Sequence, residues 1–310
     1  MLISITVIAA FLIDYIVGEP KRWHPLVGFG NVANWLESKL NSHQRFLSYL
    51  MGFIAWVLMV LPVVMLLWWI TQTQTLLSPV YFDFIIGVVF LTFALGTKSL
   101  MLHARAVSQA LESSDITLAR KNIGMIVSRD TSDSNETAIT KATIESVLEN
   151  GSDAIFAAIF WFVLFGAPGV LLYRLANTLD AMWGYKTQRF TYYGWAAARI
   201  DDALNWLPAR LTALSYAIAG STRKAFSCWF KQGSQWHGIN PGVVMATGAG
   251  ALNVILGGAA RYHGENVQRP LLGSDNEPKV ADIERSTKLV YKSIFIWVLV
   301  IAVGENFIVG

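Results

Sequence analysis

Hydrophobic positions along this chain gather into long runs parted by short polar stretches. Residues 50–70 form a run of 21 without a charge, enough at about 1.5 Å per residue to cross about 30 Å of hydrocarbon. Residues 1–18 are uncharged apart from Asp14 and lack the basic flank of a cleavable leader, so they read as a retained helix. A return run lies at 76–97, within reach of an uncharged link at 71–81, and a closing run lies at 291–309. Shorter apolar runs fall at 154–173, 207–220 and 243–258. The first contains Gly166-Ala167-Pro168-Gly169, which leaves two readings: a plain span, or a re-entrant turn whose freed backbone groups are met by protein. The last is Gly-rich and reads as a small-residue helix packed closely among others. Residues 26–48 read as an amphipathic surface segment. The pattern predicts an all-α fold, a polytopic membrane bundle forming one embedded domain over 1–310, with four to seven spans and broken or re-entrant helices.

Composition agrees, with 54% hydrophobic residues and only 15% charged, against about 25% in soluble proteins. The few charges also set an orientation. Lys98, Arg105, Arg120, Lys121, Arg129 and Lys141 crowd the stretch 98–153, and Arg174, Lys186, Arg189 and Arg199 crowd 174–206. The excess of positive charge in cytoplasmic loops then places both stretches, and any active site on them, on the cytoplasmic side of the membrane. The net charge of +3 is scattered rather than grouped, which suits lipid head groups and gives no reason to expect nucleic acid. A single cysteine, Cys228, excludes an internal disulfide and a cysteine-based zinc site. His237 and His263 read as loop histidines. No Gly-x-x-x-x-Gly-Lys-Ser/Thr run occurs, which excludes a P-loop.

Candidate chemistry concentrates in 129–153. Arg129-Asp130-Thr131-Ser132 precedes a helix expected at 134–150, with Asp133 as its cap and Glu136 closing a capping box. Glu145 and Glu149 stand at i and i+4, and Asp153 extends that row if the turn continues. Such a row is either a solvated face or a cation site compensated by arginine, lysine or magnesium. Asp14 is a functional candidate because an intramembrane carboxylate costs about 2.5 to 3.5 kcal/mol at a helix centre. Further on, Asn177 and Asp180 project together, Arg199 and Asp202 read first as a structural ion pair, and Lys186 after Gly184 suits a phosphate.

Together these motifs resemble one family. Asp14 to Pro20 with His24-Pro25, Arg129-Asp130-Thr131-Ser132, Glu145 to Asp153, Asn177-Thr178-Leu179-Asp180, Gly184-Tyr185-Lys186, Trp195 to Asp202, Asn205 to Arg210 and Arg269-Pro270-Leu271-Leu272-Gly273 are similar to the adenosylcobinamide-phosphate synthases of cobalamin biosynthesis, the CobD/CbiB family. The likeness implies a membrane ligase that joins aminopropanol, or its phosphate, to a carboxyl of the corrinoid adenosylcobyric acid, using ATP and magnesium, among other membrane-bound cobalamin enzymes and in contact with membrane lipid. Catalytic candidates are then Asp14, His24, Arg129, Asp130, Asn150, Asn177, Asp180, Asp201 and Asp202. Arg129, Lys186, Arg210 and Arg269 are candidates for the nucleotide phosphates, and Glu145, Glu149 and Asp153 for magnesium. The chain departs from the family's usual Ser-Pro-Asn-Ala-Gly-Trp-Pro-Glu, reading Gly238-Ile239-Asn240-Pro241-Gly242-Val243-Val244-Met245, and has Ala157-Ala158 where Ala-Pro is usual. Residues 216–237 are also similar to the regulatory membrane protein AmpE. A non-enzymatic regulator or signalling protein on the same scaffold is therefore the alternative.

Overall fold

The computed structural model describes residues 3–18, 25–42, 44–74, 78–262, 264–274 and 276–309. Its helices are α1 (Ile3–Val17), α2 (Pro25–Leu40), α3 (Arg45–Thr73), α4 (Pro79–Ala94), α5 (Thr97–Glu112), α6 (Ile116–Ile123), α7 (Glu136–Gly151), α8 (Ala158–Trp183), α9 (Trp195–Ala219), α10 (Thr222–Gln232), α11 (Pro241–Leu252) and α12 (Ala281–Val309). A π turn, Ser152–Ala157, joins α7 to α8. Four three-residue strands, β1 (Ile255–Gly257), β2 (Ala260–Tyr262), β3 (Glu265–Val267) and β4 (Leu271–Gly273), interrupt this all-α chain. Among the described residues, four helical stretches are long and apolar enough to cross a membrane: Arg45–Thr73, Pro79–Glu112, Glu136–Trp183 and Ala281–Phe307. The protein is thus an all-α polytopic membrane protein.

Contacts divide the chain into two compact units. The first comprises Met1–Leu95 and Ala157–Asn205, the second Gly96–Phe156 and Trp206–Gly310. In the first, Trp56, Leu67, Leu171, Leu175, Leu179, Trp183 and Tyr193 form the core. Outward on α3, Phe53, Leu58, Met65, Leu66 and Trp69 are exposed, a face that suits lipid. The loop after α8 packs on the start of α3. A Cβ at Gly52 would lie 1.9 Å from the Tyr193 carbonyl oxygen, so only glycine fits there.

The run at 154–173 is resolved in favour of the turn. Gly166 takes φ 62° and ψ −149°, a conformation open to glycine. A Cβ at Gly169 would sit 2.4 Å from the Trp161 carbonyl oxygen, although eight residues of straight helix separate atoms by about 12 Å. The chain therefore folds back on itself at Gly166. Pro168 falls in the first turn of the second arm, where no backbone N–H is needed. The Trp161 indole N–H donates to the Leu204 carbonyl at 3.1 Å, anchoring the first arm.

Three local expectations are corrected in the second unit. The cap of α7 is Asn135, whose side chain accepts from the Ala138 N–H at 2.9 Å, while Asp133 pairs instead with Arg261 at 2.6 Å. The row on α7 does not continue as α-helix, because the wider π turn takes over at Ser152. The glycine-rich 243–258 is not one helix. α11 ends at Asn253, left-handed at φ 61° and ψ 44°, and the chain enters β1, which pairs antiparallel with β4 through Leu256 and Leu272.

Candidate active site

In the second unit the site is built around Glu145, a side chain 7% exposed on the inner face of α7. Its Oε1 accepts from the Gly257 backbone N–H at 2.8 Å and from Arg269 Nη2 at 3.3 Å. Its Oε2 meets Arg269 Nη1 at 3.0 Å and Arg129 Nη1 at 3.1 Å. The local sequence explains the placement. Gly257 sits at φ 78°, where a Cβ would strike the Pro270 carbonyl oxygen at 2.1 Å, and this close approach of β1 to Pro270 brings its N–H to Glu145. Arg269 is oriented by a bond from Nε to the Gly258 carbonyl at 3.1 Å and by the Trp236 ring, 5.0 Å from its guanidinium carbon.

The compensation expected for the acidic row is thus supplied by two arginines. Glu145 lies between the two guanidiniums, and Glu149 one turn along feels the charge of both. Arg129 Nη2 is buried without a hydrogen-bond partner among the described residues. Beside it opens a pocket of about 570 Å³ lined by the basic Arg129, Lys141, Arg261 and Arg269 and by the acidic Asp130, Asp133 and Glu277. Lys141 pairs there with Glu277 at 2.9 Å. Asp130, expected among catalytic groups, serves as a clamp: its N–H donates to the Arg261 carbonyl at 2.9 Å, and its Oδ2 accepts from the Gly264 N–H at 2.8 Å.

A magnesium ion does not fit the row as read from sequence. Both Glu145 oxygens are taken by N–H donors, and among the described residues no three His, Cys, Asp or Glu side chains are placed to hold a metal ion. Glu149 is half-buried one turn along, and Asp153 lies in the π turn. Asn150 is exposed and bonds back to Ser146, its Nδ2 donating to the carbonyl at 2.9 Å. Arg210 does not line the pocket. It stacks on Trp206 at 4.2 Å and donates to Asn240 Oδ1 at 3.1 Å.

The first unit holds a separate polar group. Asp201 accepts from Asn177 Nδ2 at 3.2 Å and from Asn205 Nδ2 at 2.9 Å, and Tyr173 donates to Asn205 Oδ1 at 3.0 Å. Burial pushes the Asp201 carboxyl up to about 6, against the two asparagine bonds, and the nearby Asp202 adds to the rise. Asp180 feels the charges of both Asp201 and Asp202. Asp202 forms the expected ion pair with Arg199 at 3.0 Å. Lys186 stands exposed in the loop after α8, and Asp14 is buried in α1. His24 lies outside the described residues.

Sequence reasoning passed over Gly257, Trp236 and Lys141 in the second unit, and Glu37 in the first. Glu37 is buried, although 26–48 reads as a surface segment. Its carboxylate accepts from Arg189 Nε at 3.0 Å, again from Arg189 Nη2, and from Asn41 Nδ2 at 2.6 Å. Burial alone would raise its pKa, but the bonds from Arg189 and Asn41 prevail and hold it below the usual carboxylate range. A cavity of about 550 Å³ adjoins this pair.

Comparison with known proteins extends along nearly the whole chain. Residues 7–290 match the family described as CobD/Cbib protein. A protein of Stutzerimonas stutzeri named cobalamin biosynthesis protein CobD is 50% identical over 306 residues, covering 98% of each chain. Its namesake in Chromobacterium violaceum is 48% identical, with 93% of this chain and 92% of that one covered, and the one in Yersinia enterocolitica is 33% identical, with 97% of each covered. No solved structure matches.

Proposed function

The chain belongs to the CobD/Cbib family, and from that membership we propose that it is a cobalamin-biosynthesis enzyme, an amide ligase of the adenosylcobinamide-phosphate synthase type. It would join aminopropanol, or its phosphate, to a propionate carboxyl of adenosylcobyric acid. The observation that supports this chemistry is the pair of buried arginines on Glu145 at the edge of that pocket.

ATP fits that pocket. Phosphoryl oxygens call for fixed N–H donors with positive charge to spare, and Arg129 Nη2 is a donor with none of its bonds made. ATP supplies, when bound, the phosphoryl group that activates a carboxyl toward an amine. Arg129 and Arg269 would hold the oxyanions, and Glu145 keeps both guanidiniums in place before substrate arrives, so little reorganisation accompanies the developing charge. Trp236 restricts Arg269 further by covering one face. Magnesium is assigned no site on the row Glu145, Glu149, Asp153.

The amine asks for the opposite chemistry. Asp201, its carboxyl pushed up to about 6 by burial, is a carboxylate suited to hold an ammonium group and to accept its proton, with Asp180 as a second carboxylate nearby. Asn177 and Asn205 fix Asp201 for that role.

Complementation tests the proposal. A strain lacking the synthase, supplied with cobyric acid, grows only if aminopropanol is attached. Growth on expression of this chain is the expected result, and failure of a well-expressed, membrane-inserted protein rejects the ligase.

A further inference from the structure

We propose that α10 is an interfacial helix that seats an aromatic ridge at the head-group boundary of an anionic phospholipid leaflet. The proposal does not depend on the ligase reading. α10 has 11 residues, about 16 Å at 1.5 Å per residue, roughly half of what crossing the hydrocarbon requires. Its inner side is short. Ala225 and Cys228 are buried, and Cys228 joins a small core with Met245, Ala246 and Leu272.

The outer side carries Phe226, Trp229 and Phe230, at i, i+3 and i+4, so they form one ridge. Their rings lie 5.8 to 6.2 Å apart with planes tilted by only 14 to 19°. Phe230 is 76% exposed. Around this ridge stand the exposed Arg223, Lys224 and Lys231. Between Asp202 and Glu265 the chain carries no Asp or Glu at all, so the positive charge of α10 has no acid on its own or the adjoining helices, α9 past Asp202 and α11. Lys224 also donates to Asn253 Oδ1, tying α10 to the turn after α11.

These two properties exclude the simpler surroundings. Water would leave the ridge uncovered, and the hydrocarbon centre would strip three cations of hydration. At the boundary both are satisfied: aromatic rings settle at head-group depth, and Arg or Lys beside them meets the lipid phosphate. The preference for an anionic leaflet follows from the single sign of charge.

The full chain in lipid nanodiscs decides it. A Phe230→Cys variant carries an environment-sensitive fluorophore, with Glu277→Cys, 63% exposed, as the aqueous reference. In discs containing phosphatidylglycerol the expected result is strong quenching by spin labels at head-group depth, weak quenching by labels at the bilayer centre, and iodide quenching several-fold below the reference. Discs of phosphatidylcholine alone should raise iodide access, and Arg223→Ser with Lys231→Ser should do the same in anionic discs. Iodide quenching equal to the reference in both lipids overturns the proposal, as does strongest quenching from the bilayer centre. Protection seen in native membranes but absent from every nanodisc would instead assign the ridge to a protein partner and also overturn it.

Discussion

Glu145 receives Gly257 and two arginines that arrive from positions 16 residues before it and 112 and 124 residues after it. Removing its charge would leave two largely buried guanidiniums without the carboxylate between them, and breaking such a buried pair costs about 3 to 5 kcal/mol. Glu145→Gln is therefore expected to lower unfolding stability in detergent by that amount. Arg269→Lys is milder for the fold, since one positive charge remains, yet it loses the two-pronged bond and the guanidinium contact over the Trp236 ring. Ligase turnover should fall about 100-fold, as when a single oxyanion donor is removed, with the thermal midpoint moving far less. Equal activity in the lysine variant would remove Arg269 from the oxyanion-binding role. None of these partners could be chosen from sequence alone, because a bond between residues so far apart leaves no local period to read. Glu37 and Arg189, 152 residues apart, escaped notice for the same reason. What the sequence did carry was the need itself: carboxylates one turn apart on α7 require nearby positive charge.

At the scale of elements, legibility follows the length of the apolar run. α1, α3, α4 and α12 stand out because the bilayer demands long uncharged stretches, and α10 was lost because 11 amphipathic residues make no such demand. β1 falls inside the run expected as a helix, and the sequence pattern predicts no element for β2 to β4. Their three-residue strands hold too few side chains for a period of two, and the glycines at 257, 258 and 264 take positive φ. The reversal inside α8 was legible as one of two choices, since Gly and Pro mark a break without saying which way the chain leaves it. Space is not the constraint at Gly166, because a Cβ there would approach nothing closer than 4.0 Å. The constraint is backbone conformation, worth about 1 to 3 kcal/mol for a residue other than glycine. Gly166→Ala should therefore lower the unfolding midpoint in detergent, while Gly304→Ala on α12, also in open space, should leave it unchanged. Identical midpoints for both would mean that the turn is not held at Gly166.

For the whole molecule in its membrane, the two ends of α3 provide the frame. Tyr49, near the start, packs edge-on against Tyr192 and Trp195 at 5.4 and 5.6 Å, so the loop carrying Lys186 lies at that end. Gln74, which caps the other end of α3, lies about 40 Å away along 29 residues of helix. The excess of positive charge in cytoplasmic loops predicts that this basic loop faces the cytoplasm. A membrane-impermeant thiol reagent applied to intact cells should label Ser78→Cys and spare Lys186→Cys, and the reverse pattern would invert the orientation. The fold back in α8 also constrains how the protein is made. When Phe165 leaves the ribosome, the arm that continues from α7 through the π turn to Phe165 has no partner, because the arm after Gly166 does not yet exist. Synthesis must therefore pass Gly166 and run to Trp183 before the two arms can pair.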